Sequence, residues 1–449
     1  LYTRAELAAL FADHLPARQA NKAGQLAAID ELALTDVALI EMLTAFEPGR
    51  IIAPLCLEVI AVLQLLFFGN RYQSLTEFVL ADLGVVTYFA YPLDRSARKF
   101  ATRAALEEYL ALCALSDTYR EQLEEGVTDQ LPAVAEQVLG LTIEHESSTN
   151  RHARLCNALA RELERLEELE LALALYAQSG RHPARERTAR VRERCGDWAG
   201  ARAQCEAILA APQCEEEQDA ATRILPRMLR KLGEKPQPRP RDDFARIDLA
   251  VMQGDTRVEL LAAEALASDW QAVHYVENSL MNTLFGLAFW QQIFEPLPGV
   301  FHHAYQGAPA DMYDSEFLAR RQSSIADRIE ELRASDIESL LLEAFDTYYP
   351  CQCHWVDWRY ITREIVASAA RCIPKAHLLA IWQRQLFDPA GNRRGFPDLV
   401  AFGKAQGEYA LVEVKGPGDA LQDSQKRWLR FFARQGIPAS VAWVEWRDD

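Results

Sequence analysis

The sequence lacks the features that mark several classes of protein. Among its 449 residues there is no run of 18 or more apolar residues, so no membrane-spanning segment is predicted. The most apolar stretch, 51–68, is interrupted by Pro54, Glu58 and Gln64. We predict that it forms a pair of buried core helices. The 21 glycines and 20 prolines follow no repeat period, which excludes collagen-like and low-complexity chains.

Disulfide frameworks and secretion signals are also missing. The nine cysteines are odd in number and scattered, which favours free thiols in a reducing compartment. Cys351, Cys353 and His354 resemble half of a zinc site, but no second half follows at zinc spacing, so we expect ordinary thiols. The first residues show no signal-peptide pattern. The chain begins with Leu1 instead of Met, which indicates a fragment of a longer protein.

An excess of positive charge is missing as well. Lysine and arginine total 48 against 65 aspartates and glutamates, a net charge of −17. This excludes a uniformly basic nucleic-acid coat, although local basic patches remain possible. The composition, 49% hydrophobic and 25% charged, is typical of globular protein. The length predicts roughly three domains at about 150 residues each.

Helical patterns fill the first half of the chain. Thr3 and Glu6 are placed as a capping box for a first helix, and after a loop at 15–19 a second helix begins at Lys22. This pair loosely resembles a SAP-like DNA-binding module; a plain helical hairpin is the alternative. From 150 to 233, helices of similar length follow one another, with breaks at Gly180 and Gly196. Their small and aromatic residues resemble tetratricopeptide-type helical pairs.

A proline-rich linker at 235–241 separates these helices from the rest of the chain, because alternating prolines enforce an extended backbone. We therefore predict three domains: 1–145, a helical region with the SAP-like module; 146–241, the tetratricopeptide-like region; and 242–449. The third domain is expected to begin helical and to end in an α/β segment.

That α/β segment carries the chemistry. Residues 397–402 and 409–415 are predicted to be strands joined by a turn, followed by a helix at 421–435 and a strand at 437–446. The helical crossover predicts that this last strand is parallel to the one before it. The hairpin can bring Asp398 beside Glu413, and the two-residue period of a strand places Glu413 and Lys415 on one face.

These residue types fit phosphodiester hydrolysis. Two carboxylates among apolar strand residues need partners, and hard oxygen ligands suit Mg²⁺ or Mn²⁺. A lysine two residues from a ligand can orient or deprotonate a water, or stabilise developing phosphate charge. Gln425, on the following helix, is placed to orient neighbouring groups. The alternative is a surface salt bridge between Glu413 and Lys415 on an edge strand.

The motif resembles known families. Pro397-Asp398 followed by Glu413-Val414-Lys415 resembles the PD-(D/E)xK nuclease superfamily. With 393–400, 411–417 and the Gln425/Trp428 pair, it resembles the VRR-NUC branch, over about 340–449. Together with 274–279, 311–317, the linker and the helical pairs, the whole chain resembles the Fanconi-associated nuclease family.

The resemblance implies a fold and a metal site. The fold would be mostly α and multidomain, with a C-terminal α/β core of the restriction-endonuclease type. The metal ligands would be Asp398, Glu413, the backbone carbonyl of Val414, and Glu277 in the helix before the core. From the residues alone, Glu277 could otherwise be a helix cap. Whether one or two ions bind stays open.

The resemblance also implies a function: a divalent-metal-dependent, structure-specific DNA nuclease of the phosphodiesterase I type. It would cut 5′ flaps, degrade DNA 5′ to 3′ and act in interstrand cross-link repair, at an intracellular, DNA-associated location. The expected partner is branched or 5′-flap DNA, with no membrane and with protein partners unknown. The alternatives are a Holliday-junction-type resolvase and a non-catalytic helical-repeat adaptor.

DNA needs local basic surface on so acidic a chain. Residues 181–194 hold six arginines against two glutamates, and Arg187, Arg190 and Arg194 share one helical face. Residues 223–241 hold seven basic residues against one acid. We predict phosphate contacts from this arginine face, from Lys22, and from Arg393 and Arg394 near Asp398. Solvated helix faces with local ion pairs are the alternative. Ser424 stands where other family members have a lysine, which puts one phosphate contact in doubt.

Overall fold

The computed structural model describes residues 2–12, 14, 21–50, 56–94, 96–237 and 241–447. The predicted loop at 15–19 and linker residues 238–240 lie outside these ranges. The chain divides into two compact units, residues 1–65 and residues 66–449.

The first unit contains short helices around a small core. They are α1 (Arg4–Leu10), α2 (Lys22–Asp30), α3 (Asp36–Phe46) and the start of α4 (Leu57–Phe68). The capping box of Thr3 and Glu6 on α1 is confirmed, and Asn21 caps α2 through its side chain. Tyr2, Leu7 and Phe11 are buried together. The caps therefore determine where α1 and α2 begin, and three large apolar side chains form the core against which the helices pack.

The stretch 51–68 was predicted to form a pair of buried core helices; residues 51–55 lie outside the described residues, and for α4 the predicted burial is wrong over its first two turns. Leu57, Val59 and Leu63 are 60%, 58% and 59% exposed, whereas Leu65 and Phe68 are buried. A helix that is apolar on every side presents more apolar surface than a neighbour on one side covers. Within the described residues, no single helix is long and apolar enough to cross a membrane. One helix pair, 363–372 with 375–387, passes a length and composition test together but is bent by 111°.

The second unit begins with helices and continues into a helical array. The first elements are α5 (Thr76–Asp82), β1 (Thr87–Tyr88), α6 (Arg103–Glu124) and α7 (Leu131–Leu139). The helical array comprises α8 (Glu146–Arg165), α9 (Leu169–Ser179), α10 (Ala184–Arg194), α11 (Trp198–Ala210) and α12 (Glu215–Lys231). Consecutive array helices pack against each other. The predicted break at Gly180 is confirmed, because this residue ends α9 with a left-handed backbone at φ 61°.

A five-stranded sheet forms the C-terminal core. Its strands are β2 (Ala245–Met252), β3 (Ala272–Tyr275), β5 (Leu399–Phe402), β6 (Tyr409–Lys415) and β7 (Ala439–Arg447), while β4 (Cys351–Gln352) pairs with β1. The strand order is β2-β7-β6-β5-β3. The β3–β5 and β5–β6 pairs are antiparallel; β6–β7 and β7–β2 are parallel. The predicted parallel return of the last strand is confirmed.

The prediction that the segment after the linker begins helical is wrong, because it begins with β2. Ile247, Leu249 and Val251 alternate with exposed residues, a two-residue period that is typical of a half-buried strand. The strand lies at the edge of the sheet and is held by its full-length pairing with β7. That pairing joins segments almost 200 residues apart, so no local sequence pattern could have predicted it.

Helices cover both faces of the sheet. On one face α13 (Val258–Leu266) packs Ala262 and Leu266 against Val412 and Val414. On the other, Leu411 shares a core with Trp428 of α21 (Asp423–Gln435). The chain between β3 and β5 forms α14 (Ser279–Ala288), α15 (Trp290–Ile293), α16 (Phe317–Arg320), α17 (Gln322–Ala334), α18 (Ile337–Tyr348), α19 (Arg363–Cys372) and α20 (Lys375–Phe387).

Ion pairs join the helical array to this core. Arg384 of α20 binds Glu215 of α12, and Arg430 of α21 binds Asp219 at 3.1 Å. Arg223 and Asp423 form a third pair at 2.7 Å. The predicted fold class, mostly helical with a C-terminal α/β core, is confirmed, whereas the three domain boundaries stay predictions.

Candidate active site

Strand pairing brings the two motif carboxylates together. Leu399 pairs with Val412, so Asp398, one residue before β5, lies next to Glu413 on β6. The backbone N–H of Val414 donates to Asp398 Oδ2 at 2.8 Å. The predicted juxtaposition of Asp398 and Glu413 by a hairpin is confirmed.

Glu413 is the centre of a buried polar cluster. Its Oε1 accepts from Lys415 Nζ at 2.7 Å and from Gln425 Nε2 at 2.5 Å. Glu413 and Lys415 are 1% and 7% exposed, and β6 lies between β5 and β7. The alternative interpretation, a surface salt bridge on an edge strand, is therefore wrong. Gln425 is held in turn by the backbone N–H of Gln422, which donates to its Oε1 at 2.8 Å.

The pair of acids carries more negative charge than its surroundings balance. Burial and the charge of Asp398 raise the pKa of Glu413 to about 8, against the opposing effect of Lys415. Burial raises the pKa of Asp398 to about 6, opposed by the Val414 N–H and Lys415 and reinforced by the charges of Glu277 and Glu259. Among the described residues, buried Glu413 Oε2 has no hydrogen-bond partner. The single positive charge of Lys415 therefore does not balance the two carboxylates, and Glu413 Oε2 is left to accept from a further group.

A divalent cation fits this deficit. Carboxylate and carbonyl oxygens are the ligands that hard cations prefer, and Asp398, Glu413 and the Val414 carbonyl are the groups available on β5 and β6. Within the described ranges, however, no three Asp, Glu, His or Cys side chains already converge at metal-binding spacing. The structure brings Asp398 and Glu413 together and leaves the third predicted acid apart from them.

That third acid is Glu277. It follows β3, whose pairing with β5 includes a bond from the Val276 N–H to the Asp398 carbonyl at 2.9 Å. The prediction that Glu277 lies in a helix is wrong, because α14 begins at Ser279 with Asn278 as its cap residue. The exposed Glu277 carboxylate accepts from the Tyr275 hydroxyl at 2.6 Å. Its role as a metal ligand stays a prediction.

Two residues near the three acids, Tyr275 and Glu259, were not predicted from the sequence. Tyr275 holds the Glu277 carboxylate, and its hydroxyl also accepts from Arg257 at 3.0 Å. Tyr275 and Glu277 are two residues apart at the end of a strand, a spacing that could have identified the pair. Glu259, on the first turn of α13, has no such signal, because only the folded chain brings its charge near Asp398.

A cavity of about 1060 Å³ lies between the helical array and the loops and helices that surround the sheet. The array contributes Arg181, His182 and Glu216 to its lining, and the C-terminal part contributes Glu277, Asn278, Arg394, Ser424 and Gln425. Asp398, Glu413 and Lys415 do not line it; Gln425, which donates to Glu413, connects them with the cavity.

The two arginines before the motif differ in the contacts of their head groups. Arg394 is exposed in the cavity and forms no ion pair with any described residue, while its carbonyl accepts from Trp428 Nε1 at 3.0 Å. The Arg393 guanidinium lies 4.8 Å from the centre of the Tyr313 ring and donates to the Tyr313 hydroxyl. Gly395 has φ +83°, and a Cβ there would lie 2.7 Å from Ser424, so glycine allows the close approach of α21.

The arginines of the predicted face of α10 form ion pairs with carboxylates of the same protein. Arg187, with a side chain 16% exposed, binds Glu164 through Nε at 2.8 Å. Arg190 pairs with Glu186 at 3.5 Å and Arg194 with Glu167 at 2.5 Å. The structure therefore favours the alternative interpretation, local ion pairs, for this face.

The second basic stretch also forms ion pairs, whereas Lys22 is exposed. In the second basic stretch, Arg223 and Arg227 also bind carboxylates, those of Asp423 and Glu193. Lys22 is exposed at the start of α2 in the first unit. All nine cysteines are free, as predicted.

Known proteins resemble this chain in sequence and in structure. The VRR-NUC domain family model matches residues 332–446. The Fanconi-associated nuclease 1 homolog of Pseudomonas aeruginosa is 35% identical over 455 residues, covering 100% of this chain and 80% of the relative. The Arabidopsis thaliana homolog is 24% identical over 431 residues, covering 84% and 48%. The crystal structure of paFAN1 bound to 2-nucleotide 5′-flap DNA with a gap matches with a TM-score of 0.82 and 33% identity, covering 100% of this chain and 82% of that one.

Proposed function

Because the chain belongs to the Fanconi-associated nuclease 1 family of DNA nucleases, we propose that it cuts DNA at 5′ flaps and degrades it 5′ to 3′ during interstrand cross-link repair. The observation that carries the proposal is the buried pair of Asp398 and Glu413 beside Lys415, with Glu413 Oε2 unpartnered among the described residues. The related structure with 5′-flap DNA supports the choice of substrate.

We propose Mg²⁺ or Mn²⁺ as the cofactor, consistent with the divalent-metal dependence of the VRR-NUC family. Asp398, Glu413 and the Val414 carbonyl would hold the ion, and Glu277 would join them by exchanging its hydrogen bond with Tyr275. When bound, such an ion withdraws charge from a phosphoryl oxygen and acidifies water. Burial and mutual repulsion, which raise the pKa values of Asp398 and Glu413, are the effects that a bound cation would offset.

The protein's own groups would divide the remaining work. The Lys415 ammonium, next to Glu413, can stabilise charge that develops on the phosphate or orient the attacking water. Gln425 fixes the orientation of the Glu413 carboxylate from α21. Arg394, exposed in the cavity beside the motif, is the proposed phosphate contact near the cut, and Lys22 a proposed contact in the SAP-like unit.

The test is cleavage of a 5′-flap substrate by an Asp398→Asn variant in Mn²⁺. Loss of a ligand carboxylate worth several kcal/mol should lower the rate on the order of 10³-fold. Asp346→Asn is the matched control, since Asp346 is 54% exposed and paired with Arg363 at the surface. Unchanged cleavage by Asp398→Asn, with unchanged thermal unfolding, contradicts the proposal.

A four-way junction in the same assay addresses the two alternatives. Symmetric junction cutting with intact flaps favours the resolvase. The absence of any metal-stimulated cleavage by the unmodified protein favours the adaptor, although the complete set of Asp398, Glu413 and Lys415 argues against a decayed site.

A further inference from the structure

Both carboxylate oxygens of Glu277 accept hydrogen bonds, which distinguishes this acid from the buried acid on β6. Glu277 Oε2 accepts from the Tyr275 hydroxyl at 2.6 Å, and Oε1 accepts from Asn278 Nδ2 at 3.3 Å. Glu413 Oε2, by comparison, is buried and has no hydrogen-bond partner among the described residues. An ion that arrives at the site therefore meets an unoccupied oxygen on Glu413, but it must compete with neighbouring donors for Glu277.

The two donors to Glu277 are held in place by contacts of their own. The Tyr275 hydroxyl accepts from Arg257 Nη2 at 3.0 Å, and the Arg257 guanidinium lies 4.9 Å from the centre of the Tyr275 ring. Asn278 Oδ1 accepts from the backbone N–H of Phe396 at 3.1 Å, which ties Asn278 to the segment before the motif. We call Tyr275, Arg257 and Asn278 the brace.

The backbone of Glu277 is held next to the motif. The backbone N–H of Ser279 donates to the Glu277 carbonyl at 2.6 Å, and the Ser279 hydroxyl donates to the same carbonyl at 3.2 Å. On the preceding residue, the Val276 N–H donates to the Asp398 carbonyl at 2.9 Å. Because these bonds do not involve the carboxylate, Glu277 can change its partners by rotation of its side chain alone.

Positive charge is divided between the buried acids and this outer acid. Lys415 binds Glu413 at 2.7 Å inside the core. Arg257 is 61% exposed and reaches Glu277 only through the Tyr275 hydroxyl, which accepts from the arginine and donates to the glutamate. A hydrogen bond to an ionised carboxylate is stronger than one between neutral groups, so the brace stabilises Glu277 in its outer position.

We propose that Tyr275 is a positioning residue that holds Glu277 apart from Asp398 and Glu413 until an ion binds, and that the brace thereby sets the affinity of the site for its metal. The three acids do not converge among the described residues. Full coordination then includes the loss of one charge-assisted hydrogen bond, which weakens metal binding. The inference rests on the proposed function, because it takes Glu277 as a metal ligand.

The experiment measures Mn²⁺ binding by the full chain without DNA, from the electron paramagnetic resonance signal of unbound Mn²⁺. The variants are Tyr275→Phe, Glu277→Gln and the two combined, and Asp398→Asn identifies the Mn²⁺ that binds at this site. Tyr88→Phe is the matched control, because the Tyr88 hydroxyl also donates to a glutamate, Glu77 Oε2 at 2.7 Å, and neither residue lines the active-site cavity. Thermal unfolding checks the fold of each variant.

We expect Tyr275→Phe to bind Mn²⁺ about fivefold more tightly, which is the net contribution of one hydrogen bond. Glu277→Gln should bind about tenfold more weakly. The combined variant should bind as Glu277→Gln does, because the brace acts only through that carboxylate. Tyr88→Phe should bind as the unmodified protein does.

Two outcomes would overturn the role of Tyr275. One is equal or weaker Mn²⁺ binding by folded Tyr275→Phe, which would show that the hydroxyl does not compete with the ion. The other is a tightening that persists in the combined variant, since the effect would then not pass through Glu277. Destabilisation of the fold alone would not produce tighter binding that depends on Glu277.

The Asp398→Asn variant separates failure of this inference from failure of the proposed function. If Asp398→Asn binds as much Mn²⁺ as the unmodified protein, the motif holds no ion and the proposed function fails. If Asp398→Asn loses that binding while Tyr275→Phe binds as the unmodified protein does, only the brace fails.

Discussion

Helices α8 and α10 both belong to the helical array and both carry arginines, yet the fold uses their charges differently. On α10, Arg187, Arg190 and Arg194 each bind a carboxylate. The partner of Arg187 is Glu164, which is 1% exposed and also accepts from Arg161 and from the Tyr176 hydroxyl. On α8, Arg151 and Arg154 lie beside Lys99 with no carboxylate partner among the described residues. The density of arginine along a sequence therefore does not show which arginines remain available to a ligand, because that depends on the partners that the fold provides.

The same distinction applies to the acids. Surface carboxylates such as Asp346 pair with arginines, whereas Asp398 and Glu413 share one lysine inside the core. Groups whose charge the fold leaves uncompensated are the groups available to a ligand.

The strongest test of the comparison is Arg187→Ala. It leaves Glu164 buried without its main partner, so the free energy of unfolding should fall by about 3 kcal/mol, while folded protein should keep its DNA affinity. Denaturant unfolding and anisotropy measure the two quantities. Arg192→Ala, also on α10 but 40% exposed and paired with Asp197 at 3.4 Å, should change stability by less than about 0.5 kcal/mol. Unchanged stability with weakened DNA binding would restore α10 as a DNA surface.

A smaller effect on stability is expected when the pH is lowered. Burial raises the pKa of Glu164, but hydrogen bonds from Arg187 and Tyr176 outweigh it and leave the pKa below its usual range. Because the folded value is depressed, Glu164 stabilises the fold above the ordinary glutamate pKa of about 4.3, and this contribution is lost as pH falls through the folded value.

Melting temperatures between neutral and acidic pH measure this contribution. The difference between the unmodified protein and Glu164→Gln should shrink as pH falls, whereas Glu170→Gln, at an exposed position on α9, should run parallel to the unmodified protein. A constant difference for Glu164→Gln would show that its ionisation contributes nothing.

The smallest effect is expected when an arginine of α8 receives a carboxylate partner like those of the α10 arginines. Ala158 lies one turn after Arg154, and both line a cavity of about 300 Å³, so Ala158→Glu supplies a carboxylate partner at i,i+4. Affinity for flap DNA should fall about twofold, since an i,i+4 pair is worth about 0.5 kcal/mol. Ala158→Gln, of the same size without charge, should bind as the unmodified protein does. An equal loss in both variants would point to crowding instead of charge.

Short-range signals predicted the chemistry well. The strands around Asp398 and Glu413, the helix that carries Gln425 and the parallel return all follow from residues within about fifty positions, where alternation, turns and helix periodicity determine structure. The capping box at Thr3 and the stop at Gly180 are equally local. The metal and DNA roles of these residues came from family resemblance and stay predictions.

Long-range pairing was not predictable in the same way. The β2–β7 pair, the neighbour of Asp398 on β3 and the charge of Glu259 depend on segments that meet only after folding. For the same reason the arginine face of α10 was predicted as a DNA surface, since Glu164 lies on another helix.

By itself, the sequence determined which groups could react, because a carboxylate pair and a lysine at strand spacing are fixed by the order of residues along β5 and β6. The tertiary structure decided which charges remain available. Compensation of a charge requires a partner within a few ångströms, and such partners come from anywhere in the chain. Burial then sets the strength of each remaining charge, and it too is a property of the folded molecule.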